Sequence, residues 1–264
     1  MSGLWSHVYT IQFIHADMKN IRFFIIMVAL FAAFIYGCKK EEEPVPVNSY
    51  NGRTFAIFNP DKSYGTLTDI DGNIYKTITI GTQTWMAENL RTTRYRNGDP
   101  IPQIKPDEAW TGWTGLTAGG YCNFNNTENV DTIATFGRLY NWVAVNDSRN
   151  LAPLGWHVPT DEEWTTLTNF LGGDSVAGGK MKEKERPHWA ITDPNATNES
   201  GFTAVPAGMR DNSSGTFSVN CIFWSSTKAD NCSAWCRYLY VGEDGCIRYF
   251  PARNYGFSVR CIKD

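Results

Sequence analysis

The segment that most constrains the fold is Gly201–Arg210 (G-F-T-A-V-P-A-G-M-R), which is followed shortly by Phe223–Thr227 (F-W-S-S-T). Apolar residues fill its first half, and Pro206 and Gly208 then prevent it from continuing as a regular helix or central strand. Trp224 carries a large apolar area beside two small serines, which is typical of a tightly packed inner strand. A segment of this kind predicts a domain with much irregular backbone, in which the downstream strands pack around it.

The composition supports a turn-rich domain and excludes one class of partner. The chain has 264 residues, with 10 tryptophans, 12 tyrosines and 23 glycines, a mixture that points away from a helical bundle. Its length is sufficient for one sizeable hydrophobic core or two small ones. The formal net charge is -3, and the sequence contains no basic stripe or arginine-rich run. We therefore expect no nucleic-acid partner.

An export signal is predicted near the N-terminus. Lys19 and Arg22 precede Phe23–Tyr36, an uncharged apolar run. This run is shorter than the ~20 residues that a membrane-spanning helix needs, and its length is normal for a signal peptide. Residues 18–37 are therefore predicted to be a lipoprotein signal peptide, and residues 1–17 to lie upstream of the true start.

Cys38 is the predicted attachment site of a lipid anchor. The segment at 35–38 (I-Y-G-C) resembles a bacterial lipobox, in which the cysteine is acylated and becomes the mature N-terminus. Two or three acyl chains hold a protein stably on a membrane. Residues 38–48 form a charged, proline-containing run that predicts a disordered tether. Its acidic part, Glu41–Glu43, resembles the signal that directs Bacteroidetes lipoproteins to the cell surface.

The predicted location is therefore the outer membrane, with the domain lipid-anchored and exposed at the cell surface. The membrane is then a partner through the anchor. The alternative is a plain signal peptide with a chance cysteine.

Local patterns predict the first hairpin and the helices. Asp71-Gly72 predicts a hairpin turn rather than a calcium loop, because no glutamate stands where the last calcium ligand should be. Apolar residues at three- and four-residue spacing predict a short helix over Phe136–Val145. A second helix is predicted to begin after Thr160, where Glu163 completes a capping box. Gly178–Glu183 is predicted to be a short strand or a loop.

The C-terminal third is predicted to be a sheet. Its alternating, aromatic-rich segments predict four strands: Ile222–Thr227, Ala234–Val241, Cys246–Phe250 and Phe257–Ile262. Gly242–Gly245 is predicted to join the middle two as a hairpin loop.

Six ordered blocks of the sequence resemble a known family, the Fibrobacter succinogenes major paralogous domain. They are Ile70–Leu90 (I-D-G-N-I-Y-K-T-I-T-I-G-T-Q-T-W-M-A-E-N-L), Phe136–Trp142 (F-G-R-L-Y-N-W), Gly155–Trp164 (G-W-H-V-P-T-D-E-E-W), Thr197–Arg210 (T-N-E-S-G-F-T-A-V-P-A-G-M-R), Phe223–Thr227 and Gly256–Asp264 (G-F-S-V-R-C-I-K-D). The resemblance extends over about residues 69–264, so residues 49–264 are interpreted as a single domain of this family. Members are secreted or lipid-anchored, and the family implies no catalytic residue or cofactor.

The last block also resembles the C-terminal strand of the C-type-lectin-like fold. This resemblance implies an α+β fold with a twisted mixed or antiparallel sheet, two short helices and long irregular loops. The predicted order, with helices early and strands late, agrees with it.

Six cysteines follow Cys38: Cys122, Cys221, Cys232, Cys236, Cys246 and Cys261. An even number in an exported domain predicts disulfides, with many connectivities open. Alternation along the predicted hairpin places Cys236 and Cys246 on opposite faces, which excludes that pair. Cys221 and Cys232 bracket the F-W-S-S-T strand and are the favoured pair.

The sequence contains no recognised catalytic or cofactor-binding motif and no strong metal-binding motif. Asp193-Pro194-Asn195 is similar to the calcium-and-sugar tripeptide of C-type lectins, but Glu or Gln normally leads it and no W-N-D follows. The chain is therefore predicted to be a non-enzymatic binding or adhesion module for a glycan or protein, without a cofactor. Two alternatives stay open. A secreted hydrolase or modifying enzyme would show perturbed acid pairs in one cleft, and a structural envelope lipoprotein would have no ligand.

The candidate ligand site is a row of tyrosines on the C-terminal sheet: Tyr238, Tyr240 and Tyr249. The first two alternate with the face that carries Trp235 and Leu239, which is more apolar and is predicted to be core. Tyrosine offers a rigid contact area and a hydroxyl, which suits recognition of a glycan or protein. The alternative is that these tyrosines only stiffen a solvated sheet by cross-strand pairing.

Overall fold

The computed structural model describes residues 52–105, 110, 118–184, 188–189, 193–211 and 220–264. The predicted upstream extension, the signal peptide, Cys38 and the tether lie outside the described residues. None of the helices in these ranges combines the length and the apolar character that crossing a bilayer requires.

The described ranges contain four α-helices and ten β-strands, which confirms the predicted α+β class. The helices are α1 (Val130–Phe136), α2 (Trp142–Val145), α3 (Asp161–Phe170) and α4 (Asp174–Met181). The strands are β1 (Gly65–Thr68), β2 (Ile74–Ile80), β3 (Gln83–Met86), β4 (Tyr121–Asn123), β5 (Arg138–Tyr140), β6 (Trp156–His157), β7 (Cys221–Lys228), β8 (Ala234–Leu239), β9 (Ile247–Tyr249) and β10 (Ile262–Lys263). The prediction of two helices is wrong, because the described ranges alone contain four.

A five-stranded antiparallel sheet in the order β1-β2-β3-β10-β6 places the C-terminal strand β10 between β3 and β6. The predicted turn at Asp71-Gly72 is confirmed. Asp69 Oδ1 accepts hydrogen bonds from the backbone N–H groups of Asp71 and Asn73 at 3.0 and 2.8 Å. The hydroxyl of Tyr75 donates to Asp69 Oδ2 at 2.6 Å. The Asp69 carboxylate therefore holds the turn.

The predicted helix over Phe136–Val145 is wrong, because the chain changes direction at Gly137. This residue has φ 74°, and a Cβ there would lie 2.5 Å from the Cβ of Asn89. The helix α1 therefore ends before Gly137, and β5 and α2 follow it. Strand β5 pairs with β4 in a separate two-stranded sheet.

The predicted helix after Thr160 is confirmed as α3. Thr160 Oγ1 accepts from the backbone N–H of Glu163 at 3.2 Å, and Glu163 Oε2 accepts from the backbone N–H of Thr160 at 2.7 Å. This reciprocal pair is the predicted capping box. Trp164 and Leu167 are buried on the inner face of the helix.

The prediction of a strand or loop over Gly178–Glu183 is wrong, because most of this segment belongs to α4. A Cβ at Gly178 would lie 2.2 Å from the carbonyl oxygen of Gly245, and one at Gly179 would lie 2.7 Å from that of Asn195. Only glycine fits beside the neighbouring backbone at these two positions, although glycine disfavours a helix.

The C-terminal sheet is antiparallel in the order β7-β8-β9, and it contains the predicted hairpin. The fourth predicted strand, Phe257–Ile262, is only partly formed. Phe257 and Ser258 make isolated bridges to Tyr140 and Phe223, and regular pairing is limited to β10.

Strands β7 and β8 of the C-terminal sheet carry buried residues on both faces, which corrects the predicted division into a core face and a solvent face. Leu239 belongs to one hydrophobic cluster together with Trp164 of α3. Cys236 and Trp224 point the other way and belong to a second cluster. Trp235, which was predicted to face the core, is only half-buried.

The segment Gly201–Arg210 is buried, as its sequence predicts. Phe202 is fully buried, and its carbonyl oxygen and that of Thr203 accept hydrogen bonds from the guanidinium group of Arg260 at 2.6 and 2.9 Å. Trp224 is also fully buried, and its Nε1 donates to the carbonyl of Tyr140 at 2.9 Å. Side-chain donors therefore supply partners for backbone that makes no regular sheet.

Candidate functional site

An open cleft of about 420 Å³ lies beside the exposed end of the C-terminal sheet. Aromatic residues dominate its lining, which consists of Met209, Ser233, Tyr238, Tyr249, Phe250, Pro251, Ala252, Tyr255 and Phe257. This size falls in the range of small-molecule and cofactor sites.

Pairing of the last two strands places the first part of the lining. Tyr238 lies opposite Ile247, and Tyr249 lies opposite Cys236, so the two tyrosines project from the same face of the sheet. Strand β9 is the edge of this sheet, and Tyr249 is 54% exposed.

The chain beyond β9 supplies the second part. The backbone N–H of Ala234 donates to the carbonyl of Pro251 at 3.2 Å, and that of Arg253 donates to the carbonyl of Cys232 at 3.0 Å. These bonds hold the segment after β9 against the start of β8. Phe250, which is 47% exposed, and Tyr255 thereby come beside the sheet.

The central segment closes one side of the cleft. Arg210 and Gly256 exchange two backbone hydrogen bonds, at 2.8 and 3.0 Å. A Cβ at Gly256 would lie 2.8 Å from the Cβ of Arg210 and 3.0 Å from the ring of Trp110, so only glycine permits this approach. Met209 and Tyr255 consequently both line the cleft.

The rings form an ordered set. Tyr249 and Phe250 are stacked, with ring centres 5.8 Å apart, and Tyr255 packs on the buried Phe257 at 5.6 Å. Tyr238 is stacked on Tyr240 at 4.1 Å. Aromatic side chains with few rotatable bonds present a contact surface at small entropic cost.

The hydroxyl groups of the tyrosines differ in their partners. The hydroxyl of Tyr238 accepts a hydrogen bond from Asn220 Nδ2 at 3.2 Å. Those of Tyr249 and Tyr255 have no hydrogen-bond partner within the described part of the chain. Burial raises the pKa of Tyr238 to about 12, and burial followed by the charge of Asp211 raises the pKa of Tyr255. The phenols of Tyr238 and Tyr255 are therefore protonated at neutral pH and can donate.

The structure brings two of the three predicted ligand-binding residues together. Tyr238 and Tyr249 line the cleft, whereas Tyr240 packs behind Tyr238 and is not part of the lining. Phe250 and Tyr255 also line the cleft but were not predicted from the sequence. Phe250 directly follows Tyr249 in the Y-F-P run at 249–251, so its position could have been predicted from the sequence.

A second cleft, of about 360 Å³, lies at the N-terminal end of the described chain. Its lining includes Asp61, Lys184 and Glu199, and Phe58 is its one aromatic residue. It contains none of the predicted ligand-binding residues, so it has a weaker claim as the binding site.

The predicted disulfides are absent from the structure, in which Cys122, Cys221, Cys232, Cys236, Cys246 and Cys261 are all free thiols. The favoured pair is wrong for a geometric reason. Cys221 begins β7, which is about 24 Å long at ~3.4 Å per residue, and Cys232 lies in the turn beyond its other end. A disulfide allows only about 7 Å between the two Cα atoms.

The five buried cysteines belong to three hydrophobic clusters. Cys236 and Cys261 lie in one cluster, Cys221 and Cys246 in another, and Cys122 packs with Trp110. The exclusion of a Cys236–Cys246 pair therefore agrees with the structure. Burial raises the pKa of all five buried thiols, and that of Cys122 to about 12, so they behave as small apolar groups.

The tripeptide Asp193-Pro194-Asn195 does not offer a free carboxylate. Asp193 forms an ion pair with Lys182, and the two side chains are 2% and 0% exposed. Within the described ranges, no group of three or more His, Cys, Asp or Glu side chains is placed to hold a metal ion.

The fold and the cleft define an α+β domain that presents an aromatic cleft at the end of a C-terminal antiparallel sheet. The family model of the Fibrobacter succinogenes major domain (Fib_succ_major) matches residues 78–263, and the chain belongs to this family. No curated protein and no solved structure matches the chain. The likeness to the C-type-lectin-like fold therefore stays a prediction.

Proposed function

We propose that this protein is a lipid-anchored binding module of the cell surface that holds a glycan through its aromatic cleft. The observation that supports this proposal is the exposed stack of Tyr249 and Phe250, together with the hydroxyls of Tyr249 and Tyr255, which have no hydrogen-bond partner in the described chain. The flat apolar face of a sugar ring can pack on such rings, and its hydroxyls can bond to the phenols. A protein ligand is the competing outcome of the test below.

The alternative of a hydrolase or modifying enzyme has less support. Burial is the main cause of a raised pKa at Asp69 and Glu88, but both carboxylates accept backbone N–H groups and neither lines the cleft. Their environment is that of turn and strand caps. A pair of perturbed acids facing one cleft, the feature that favours an enzyme, is not found in the described lining.

The binding half of the proposal is tested with the full chain, purified in detergent, on an array of neutral and acidic glycans. For any glycan bound, Tyr249→Ala and Phe250→Ala are each expected to weaken binding by about tenfold, which corresponds to about 1.4 kcal/mol. Phe170→Ala is the matched control, because Phe170 is 64% exposed and lies outside the cleft.

Retained binding in both cleft variants, with melting temperatures unchanged, would place the ligand elsewhere and overturn the proposal. Capture of a protein but of no glycan would replace it with the protein alternative.

The anchoring half rests on Cys38. Cys38→Ala is expected to move the protein from the membrane fraction into the soluble fraction, because the apolar run before it is too short to anchor the chain alone. Lys39→Ala serves as the control and is expected to leave the protein in the membrane fraction. Detergent-dependent fractionation of the Cys38→Ala protein would contradict the lipid anchor.

A further inference from the structure

Among the described residues, none of those that line the aromatic cleft carries a charged side chain. Its polar atoms come from the hydroxyls of Tyr238, Tyr249, Tyr255 and Ser233 and from the backbone. Carboxylate, sulfate and phosphate groups are normally held by arginine or lysine, whose bonds to them are charge-assisted. The described lining contains no arginine or lysine for a carboxylate, sulfate or phosphate group to bind.

Four arginines are adjacent in sequence to lining residues. Arg210 and Arg237 are buried, and the other two are engaged elsewhere. Arg248 forms an ion pair with Asp161 at 2.8 Å, and its guanidinium group lies 3.3 Å from the centre of the Trp235 ring. Arg253 donates to the carbonyl of Asn231 and lies over the ring of Trp142. Neither is among the residues that line the cleft.

One carboxylate acts on part of the lining. After burial, the charge of Asp211 is the next cause that raises the pKa of Tyr255. This carboxylate offers no attraction to an anionic ligand, whereas an uncharged ligand does not depend on such attraction.

A bridging calcium ion is also disfavoured, because the described lining of the cleft contains no carboxylate and the one in the lectin-like tripeptide is engaged elsewhere. The carboxylate of Asp193, which leads the lectin-like tripeptide, is buried against Lys182. Calcium sites are built largely from carboxylate oxygens, and releasing this one would leave a buried ammonium group unpaired.

We infer that the cleft takes an uncharged saccharide without a metal ion, stacked on Tyr249 and Phe250 and hydrogen-bonded to the tyrosine hydroxyls. This inference rests on the proposed function and names the class of its ligand. The phenols of Tyr249 and Tyr255 supply donors and acceptors to sugar hydroxyls, and the rings supply the apolar contact.

The test compares neutral hexasaccharides (cello-, xylo- and mannohexaose) with acidic ones (hexagalacturonate and a sulfated analogue). Binding to the full chain is measured by titration calorimetry, with and without EDTA, and at low and high salt. We expect a neutral sugar to bind, with affinity changed less than about twofold by EDTA or salt. Tyr249→Phe should weaken it severalfold and Tyr249→Ala by about tenfold. Phe170→Ala should leave it unchanged.

The outcomes separate the two claims. If acidic but not neutral sugars bind, and Tyr249→Ala weakens them, the site stands and the inference of an uncharged ligand is wrong. If EDTA abolishes a binding that Tyr249→Ala also weakens, metal-free recognition is wrong. If neither class binds, or if Tyr249→Ala and Phe250→Ala leave all binding unchanged in folded protein, the proposed function itself is overturned.

Discussion

The buried ion pair between Lys182 and Asp193 should be a place where a single substitution destabilises this domain strongly. Both side chains are buried, and Lys182 Nζ also donates to the carbonyl oxygens of Tyr240, at 3.2 Å, and Glu243. The ammonium group also lies 5.5 Å from the centre of the Trp189 ring. Lys182 thus ties the end of α4 to the loop after β8 and to the segment at Asp193.

Removing one partner of a buried pair leaves an uncompensated charge and costs about 3–5 kcal/mol. We expect a loss of this size from Asp193→Asn and from Lys182→Met, with the lysine variant at the upper end because two carbonyls also lose a donor. A domain of this size loses about 2–4 °C in melting temperature per kcal/mol, so the expected decrease is about 6–20 °C.

The double variant Lys182→Met/Asp193→Leu distinguishes a pair from two separate effects. It removes both charges, so it is expected to lose less stability than the two single variants together, by at least about 2 kcal/mol. The exposed pair of Lys105 and Glu128, with side chains 54% and 69% exposed, is the matched control. Lys105→Met is expected to cost less than about 1 kcal/mol.

Urea unfolding and thermal melting, both followed by circular dichroism, measure these differences. The reasoning fails if Asp193→Asn costs no more than Lys105→Met, or if the single losses add without coupling. Either result would mean that the Asp193 carboxylate is solvated, and it would also remove one argument against a metal ion in ligand binding.

Two further predictions concern single titratable groups. In the native full chain, Cys232 is exposed and is expected to be the described thiol that reacts with a thiol reagent, whereas buried thiols such as Cys122 should react only after denaturation. The variant Cys232→Ser should abolish the reaction of the native protein. A remaining reaction from the described domain would contradict the structure. Burial lowers the pKa of His157, but the hydrogen bonds of its ring to Asp264 (2.7 Å) and Glu163 (2.8 Å) outweigh burial, and the pKa is raised overall. The stabilisation by protonated His157 should therefore be complete below about pH 6.5 and should disappear as the pH rises through the higher folded-state pKa. The free energy of unfolding of the wild type, measured with urea, should exceed that of His157→Gln below about pH 6.5, by less than about 1 kcal/mol for so exposed a pair. This difference should vanish at alkaline pH, and a pH-independent difference would argue against the charge pairing.

Short-range signals in the sequence were sufficient for part of the fold. The turn at Asp71-Gly72 and the capping box of Thr160 and Glu163 depend on residues at most a few positions apart, and both form as predicted. Burial of Trp224 and of the segment Gly201–Arg210 was predictable as well, because large apolar side chains beside helix- and strand-breaking residues have few other solutions. The lining residue Tyr238 was found by alternation along a strand, and Tyr249 was added to it from the next strand.

Contacts between residues distant in sequence decided the rest. Gly137 ends a helix because of Asn89, and Gly178 lies inside one because a backbone carbonyl at Gly245 packs against it. Alternation could not tell that strands β7 and β8 of the C-terminal sheet carry buried residues on both faces, nor that Tyr255 would join the cleft by way of backbone bonds between Gly256 and Arg210. The physical reason is the same in each case. A local pattern depends on the backbone conformation and the side of an element that neighbouring residues favour. The partner in a packed interface is distant in sequence, so the local pattern contains no information about it.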